Sequence, residues 1–135
     1  MTANAPIDTM QPCVQETQWD RDLAAAEAVM PLAFAHNAAI HYAKALRKYP
    51  RFADMLHGLP NREMIEFYLA KCRDIIDSKR QHSKLYATDL LQCEILEAWC
   101  APNEQETISE LYDAVAVLMR MIAVVEGRQK LGGKE

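Results

Sequence analysis

The stretch that decides the fold is AVAVLMRMIAVV, residues 114–125, in which Arg120 is the only polar residue. Each large aliphatic side chain left in water forgoes about 1.5–3 kcal/mol, so other surfaces must cover a segment of this kind. Its valines would also suit a buried strand, but a lone strand would find no pairing partner elsewhere in this chain. We therefore predict a helix that forms the core of the protein.

The apolar residues of this helix fall on two faces. The first face begins upstream of the segment, has spacings of 3 and 4, and consists of Ile108, Leu111, Tyr112, Val115, Leu118, Met119 and Ile122. This stripe suffices for one core. A second face carries Val117, Met121 and Val124 beside Arg120. Either other helices of the same chain cover it, or it meets a partner, where Met adapts in shape and Arg reaches a carboxylate. These four residues are the predicted partner interface.

The composition fits one globular protein domain. The chain has 135 residues, of which 50% are hydrophobic and 25% are charged, and it needs no metal or disulfide to build a core. No apolar run approaches the ~18 residues of a membrane span, and the N-terminus lacks the pattern of a secretory signal. The four cysteines form no CxxC pair, as expected for free thiols in a reducing environment. We predict a cytoplasmic protein with no membrane contact.

The first half of the chain is predicted to hold two helices and a short connection. Residues 1–16 have no apolar period and are predicted to be a disordered arm, after which Thr17 caps the first helix. Pro31 kinks that helix or opens the next, which is expected over residues 31–48. A short connecting helix is expected over residues 51–58. The second helix is predicted to bury the stripe Leu32, Ala35, Ala39, Ala43 and Leu46.

The second half contains one long stretch, residues 61–101, without internal Gly or Pro. Ser78 and Gln81 have the spacing of a capping box, which favours a break near 78; a continuous helix of nearly 40 residues is the alternative. The helix over residues 79–100 is apolar around most of its circumference and should be contacted on more than one side.

The last helix is predicted to begin after Pro102, with Asn103 as its cap, and to end at Gly127. No repeat and no hairpin pattern occur. The predicted fold is therefore all-α, a compact antiparallel bundle of about five or six helices. The predicted organisation is a flexible N-terminal arm over 1–16, the helical domain over 17–127 and a flexible tail over 128–135.

No catalytic, cofactor or metal motif is present. His36 and His41 are five residues apart, and the sequence contains no HxxxH, ExxH or CxxC. No serine sits in a glycine elbow, and the glycines do not form a phosphate-binding loop. We therefore predict no cofactor and no catalysis, while a helical enzyme without a recognisable motif stays open as an alternative.

Nucleic-acid binding is the other alternative, because residues 44–84 carry ten Lys or Arg against five acids. Residues 52–67 outline a helix-turn-helix, but the helix that would enter the groove opens with Glu63 and Glu66. If the helix continues through residue 78, a basic ridge forms from Arg73, Arg80 and Lys84.

The favoured function is a small non-catalytic interaction module that is an adaptor, chaperone, inhibitor or regulatory subunit. It would bind a protein partner, form a homo-oligomer, or both, through helical faces. The two apolar faces of the last helix and the charge segregation motivate this prediction.

Overall fold

The computed structural model describes residues 15–29, 33–82 and 84–132, and within these ranges it contains five α-helices and no strand. The all-α prediction is confirmed, and most of the predicted arm over 1–16 lies outside the described residues. None of the described helices is long and apolar enough to cross a membrane. The helices are α1 (Gln18–Val29), α2 (Ala33–Lys48), α3 (Arg62–His82), α4 (Ala87–Cys100) and α5 (Glu104–Val125).

The start of α1 is a reciprocal capping box. The Asp20 N–H donates to Thr17 Oγ1 at 3.1 Å, and the Thr17 N–H donates to the Asp20 carboxylate at 2.8 Å. Two N–H groups that lack a helical partner are thereby satisfied. The predicted start of the first helix is confirmed.

The predicted buried stripe of α2 is wrong. Residues 35–48 are all exposed, and 56% of the surface of Leu46 is accessible to solvent. Alanine favours a helix intrinsically but buries little area, so an alanine-rich helix can form without a neighbour to pack on. The predicted roles of Pro31 and Leu32 lie outside the described residues.

The predicted connecting helix over residues 51–58 is also wrong, so the helix count is five in the part of the chain that is described. Phe52 is 77% exposed and Met55 74%, so no packing supports the isolated turns that this short segment would form. The segment instead folds back at its end, where the His57 ring lies 5.4 Å from the ring of Trp99.

The core lies between α3 and α4, which pair as an antiparallel hairpin. Polar contacts cross-link the hairpin: Arg62 Nη2 donates to the Cys100 carbonyl at 2.7 Å, and Arg73 Nη2 lies 3.1 Å from Glu97 Oε1. The buried side chains between the two helices are Ile65, Leu69, Ile76, Cys93 and Leu96.

The link between these helices lies later in the sequence than predicted. The helix α3 continues through Ser78 to His82, so the predicted break near 78 is wrong, and α4 begins anew at Ala87, so the continuous helix is wrong too. Residues 77–82 are polar and mostly exposed, and they continue the helix because none of them is a Gly or Pro. Asp89 sets the new start, because its carboxylate accepts from the Tyr86 N–H at 3.1 Å and from Lys79 Nζ at 2.8 Å.

The helix α5 packs antiparallel along another face of α4, so the prediction that α4 is contacted on more than one side is confirmed. Small residues are buried in these two helices, with Ala98 1% and Ala114 6% exposed. The predicted cap of α5 is also confirmed, since Asn103 Oδ1 accepts from the Glu106 N–H at 2.9 Å.

The prediction that the first stripe of α5 forms the core is wrong. Ile108 is 55% exposed, Tyr112 69% and Leu118 43%. The contact between α5 and α4 uses Ala114 and the side of the helix that carries Val117, so most of the large side chains of the first stripe are left facing water. The region 114–125 is thus a flank of the bundle, and the hairpin of α3 and α4 holds the core.

Candidate functional site

A groove lies between the start of α4, the second half of α5 and the turn that follows α5; we call it the α4–α5 groove. The groove is open to solvent on one side and has a volume of about 430 Å³. All four residues of the predicted partner interface, Val117, Arg120, Met121 and Val124, line it. The antiparallel packing brings them opposite Leu85 and Leu90 of the α4 side.

The four residues differ in their burial. Val117, Met121 and Val124 are half-buried, whereas Arg120 is exposed at the rim. The second face of α5 therefore meets α4 of the same chain but is not closed over by it. Partner binding at this second face of α5 stays a prediction.

The turn after α5 completes the groove. Gly127 has a positive φ of 75°, a conformation that residues with a side chain rarely adopt, and the chain reverses after it. The N–H groups of Arg128 and Gln129 donate to the Ala123 carbonyl at 2.8 and 3.2 Å. The chain thus turns back onto α5 before Gly132 rather than leaving the helix at Gly127.

This reversal places Gln129 against Arg120. With the Gln129 amide oxygen oriented toward the guanidinium, it accepts from Arg120 Nη2 at 3.1 Å and from Nε at 3.2 Å. A guanidinium has five N–H donors, so Nη1 keeps its donors for a further acceptor. The amide of Gln129 fixes the charge of Arg120 at the rim.

The charged side chains that line the α4–α5 groove among the described residues are all cations. Arg120 and Lys130 both line it, and the described residues that line it include no Asp or Glu. Within residues 15–29, 33–82 and 84–132, neither of these cations forms an ion pair. An apolar cavity with two cations at its edge attracts negative charge.

A second surface is the exposed face of α5, which we call the α5 stripe. The sequence identified most of its residues but assigned them to the core, because periodicity shows that a face is apolar and not what covers it. It consists of Ile108, Tyr112, Val115, Leu118, Ile122 and Val125, all exposed.

The three residues of the predicted basic ridge lie in different environments. Arg73 is paired with Glu97 of α4, Arg80 is exposed on α3, and Lys84 lies in the link after α3. The helix-turn-helix outline over residues 52–67 lacks its first helix, since residues 51–58 are not helical.

Three carboxylates that sequence reasoning missed meet between α4 and α5. Oxygens of Glu94, Glu97 and Glu110 lie within 4.8 Å of one another. Partial burial, together with the charges of Glu97 and Asp113, raises the pKa of Glu94 to about 7. Burial and the charge of Glu97 also raise the pKa of Glu110. Carboxylates are ligands of hard divalent cations, but here Arg73 already binds Glu97.

No spacing in the sequence indicates this cluster, because its members come from two helices. Glu94 and Glu97 share a face of α4, whereas Glu110 reaches them only when α5 packs back. Like charges held together are a cost to the fold, which Arg73 partly offsets.

Comparisons with known proteins found no matching family, no similar curated protein and no similar solved structure. The features of the described residues that bear on function are therefore the two surfaces of α5, the α4–α5 groove and the α5 stripe.

Proposed function

We propose that this protein is a non-catalytic interaction module, an adaptor, chaperone, inhibitor or regulatory subunit, that docks a partner helix on the α5 stripe. One observation supports this proposal most directly. The α5 stripe places six large apolar side chains on one face of a helix whose other side is held against α4. Contiguous apolar patches of this kind are typical of protein interfaces.

The spacing of the stripe indicates what kind of partner fits. Ile108, Val115 and Ile122 of the stripe alternate at intervals of 3 and 4 with Leu118 and Val125, and the half-buried Leu111 continues this register beside the stripe. This is the a and d pattern of a coiled coil, with β-branched residues at a and mainly Leu at d, a combination that favours two-stranded pairing. A helix with a matching apolar stripe is therefore the expected partner.

The size of the stripe suits a second copy of the chain. Its six residues are 42–89% exposed, so they can form the centre of an interface in which each partner typically buries about 800 Å². A two-fold axis brings the same patch of both copies together, so α5 of each copy supplies one half of the contact. A homo-oligomer is thus the simplest form of the proposal.

We place this function in the cytoplasm. Cys72, Cys93 and Cys100 are free thiols, which fits a reducing compartment. Nucleic-acid binding is not favoured by a specific observation, since Arg73 is neutralised by Glu97.

Solution mass tests the proposal. We expect the wild type to sediment as a dimer or larger at micromolar concentration and Leu118→Glu to sediment as a folded monomer, because a buried unpaired carboxylate in a dimer interface is costly. Ala116→Glu is the matched control, since Ala116 is exposed on α5 outside the stripe. It should keep the wild-type mass.

A wild type that stays monomeric at ~100 μM, a concentration at which a micromolar dimer would be populated, would contradict the self-association. Equal effects of Leu118→Glu and Ala116→Glu would show that the stripe is not the contact.

A further inference from the structure

We propose that the α4–α5 groove is a binding site for a small amphipathic carboxylate, an alkyl chain with one carboxylate head. Its cavity of about 430 Å³ lies within the ~300–1,000 Å³ range of small-molecule sites. The groove and the stripe lie on different faces of α5 and share only Val125 at their border, so this inference does not depend on self-association.

The walls of the groove suit an alkyl chain. They come from both helices and from the C-terminal turn, and Met121 can adapt its shape to a flexible ligand. The apolar wall residues are Leu85, Leu90, Val117, Met121, Val124 and Leu131.

The rim of the groove selects the head group. Arg120 and Lys130 are both at the lining, and no acidic residue is found there among the described residues. Gln129 accepts from Nη2 and Nε of Arg120, so the N–H groups of Nη1 keep their capacity to donate to a ligand carboxylate. Two cations beside an apolar wall complement a ligand that has one anionic group next to an apolar chain. A neutral or cationic amphiphile is therefore not the preferred ligand.

The probe for this site is decanoate, compared with decanol and decyltrimethylammonium at pH 7.5, each below its micellar concentration. Titration calorimetry gives affinities, and amide chemical shifts of the full chain locate the site. We expect decanoate to bind at least about tenfold more tightly than decanol, because a charge-assisted hydrogen bond is added to the same apolar contact. The shifts should cluster at the groove-lining residues that do not belong to the stripe, namely Leu85, Leu90, Val117, Met121, Val124, Gln129 and Leu131.

Two variants separate the head group from the chain. Arg120→Gln should weaken decanoate about tenfold and leave decanol unchanged, since only the charged contact is removed. Val117→Trp fills the groove and should abolish binding of both. Leu118→Glu, on the α5 stripe, should bind decanoate like the wild type, which keeps this test independent of the oligomeric state.

Several results would overturn the inference: equal binding of all three amphiphiles, no binding of decanoate, shifts confined to the α5 stripe, or an Arg120→Gln variant with wild-type affinity. A loss of decanoate binding in Leu118→Glu would likewise assign the ligand to the dimer contact. If the proposed self-association fails while decanoate binds as expected, this inference stands alone.

Discussion

The pKa of Glu94 depends on the packing of α5 against α4. In a separate α4 its carboxylate would be solvated, but α5 partly buries it and brings Glu110 close to it. Both burial and neighbouring negative charge disfavour ionisation, so the pKa of Glu94 rises from its ordinary 4.5 to about 7. The folded protein therefore holds this proton to a higher pH than the unfolded chain does.

This difference predicts a pH dependence of stability. Between pH 4.5 and about 7 the native state binds more protons than the unfolded state, so the free energy of unfolding should fall as pH rises through this window and then level off. Glu94→Gln should raise it at pH 8 by about 1 kcal/mol, after allowance for solvent screening, and give no gain below pH 4.5.

Urea denaturation at a series of pH values measures this effect. Glu27→Gln on α1 is the control, because Glu27 is exposed and remote in sequence from the cluster. A Glu94→Gln variant whose stability follows the wild-type pH profile would contradict the expected proton uptake.

At the scale of the element, the hairpin of α3 and α4 carries most of the apolar burial. Leu69 is 5% exposed, whereas Ile75 on the same helix is 46% exposed. We expect Leu69→Ala to lower the free energy of unfolding by about 2–5 kcal/mol, because it leaves a cavity in the core. Ile75→Ala, as the matched control, should cost less than about 1 kcal/mol.

Chemical denaturation of both variants measures the difference. Similar losses in the two variants would mean that the outer face of α3 is covered in solution, by a partner or by another helix. The comparison thus also reports on surfaces that the monomer leaves open.

At the scale of the whole molecule, the helices fall into two groups. The helices α3, α4 and α5 pack side by side, while the described side chains of α1 and α2 are exposed apart from the half-buried Phe34. Helices of 12 and 16 residues are marginal in water without tertiary contacts. The two groups should therefore differ in local stability.

Amide hydrogen exchange tests this division. We expect α1 and α2 to exchange near the unprotected rate and the amides of α3 and α4 around Leu69 and Leu96 to be protected by several orders of magnitude, since opening them requires loss of the core. Equal protection would show that α1 and α2 dock onto the other helices. If they dock on the α5 stripe, the stripe has an occupant within the chain, against the proposed function.

Local chemistry explains why the helices were predictable. Thr17, Asn103 and Gly127 act through hydrogen bonds and backbone angles within a few residues, so the sequence alone places these ends. The link at residues 84–86 was misplaced because its cap uses Asp89 with Lys79, ten residues apart. Such a contact forms only after the chain has turned.

The sequence by itself determined that the protein is all-α, where several of its helices begin and end, and that α5 is apolar on two faces. Only the tertiary structure decided which face meets α4. Periodicity defines a face, but covering it depends on partners distant in the chain. The small residues Ala98 and Ala114 let these two helices come close, which left the larger side chains of the α5 stripe exposed and made Val117, Met121 and Val124 the wall of a groove.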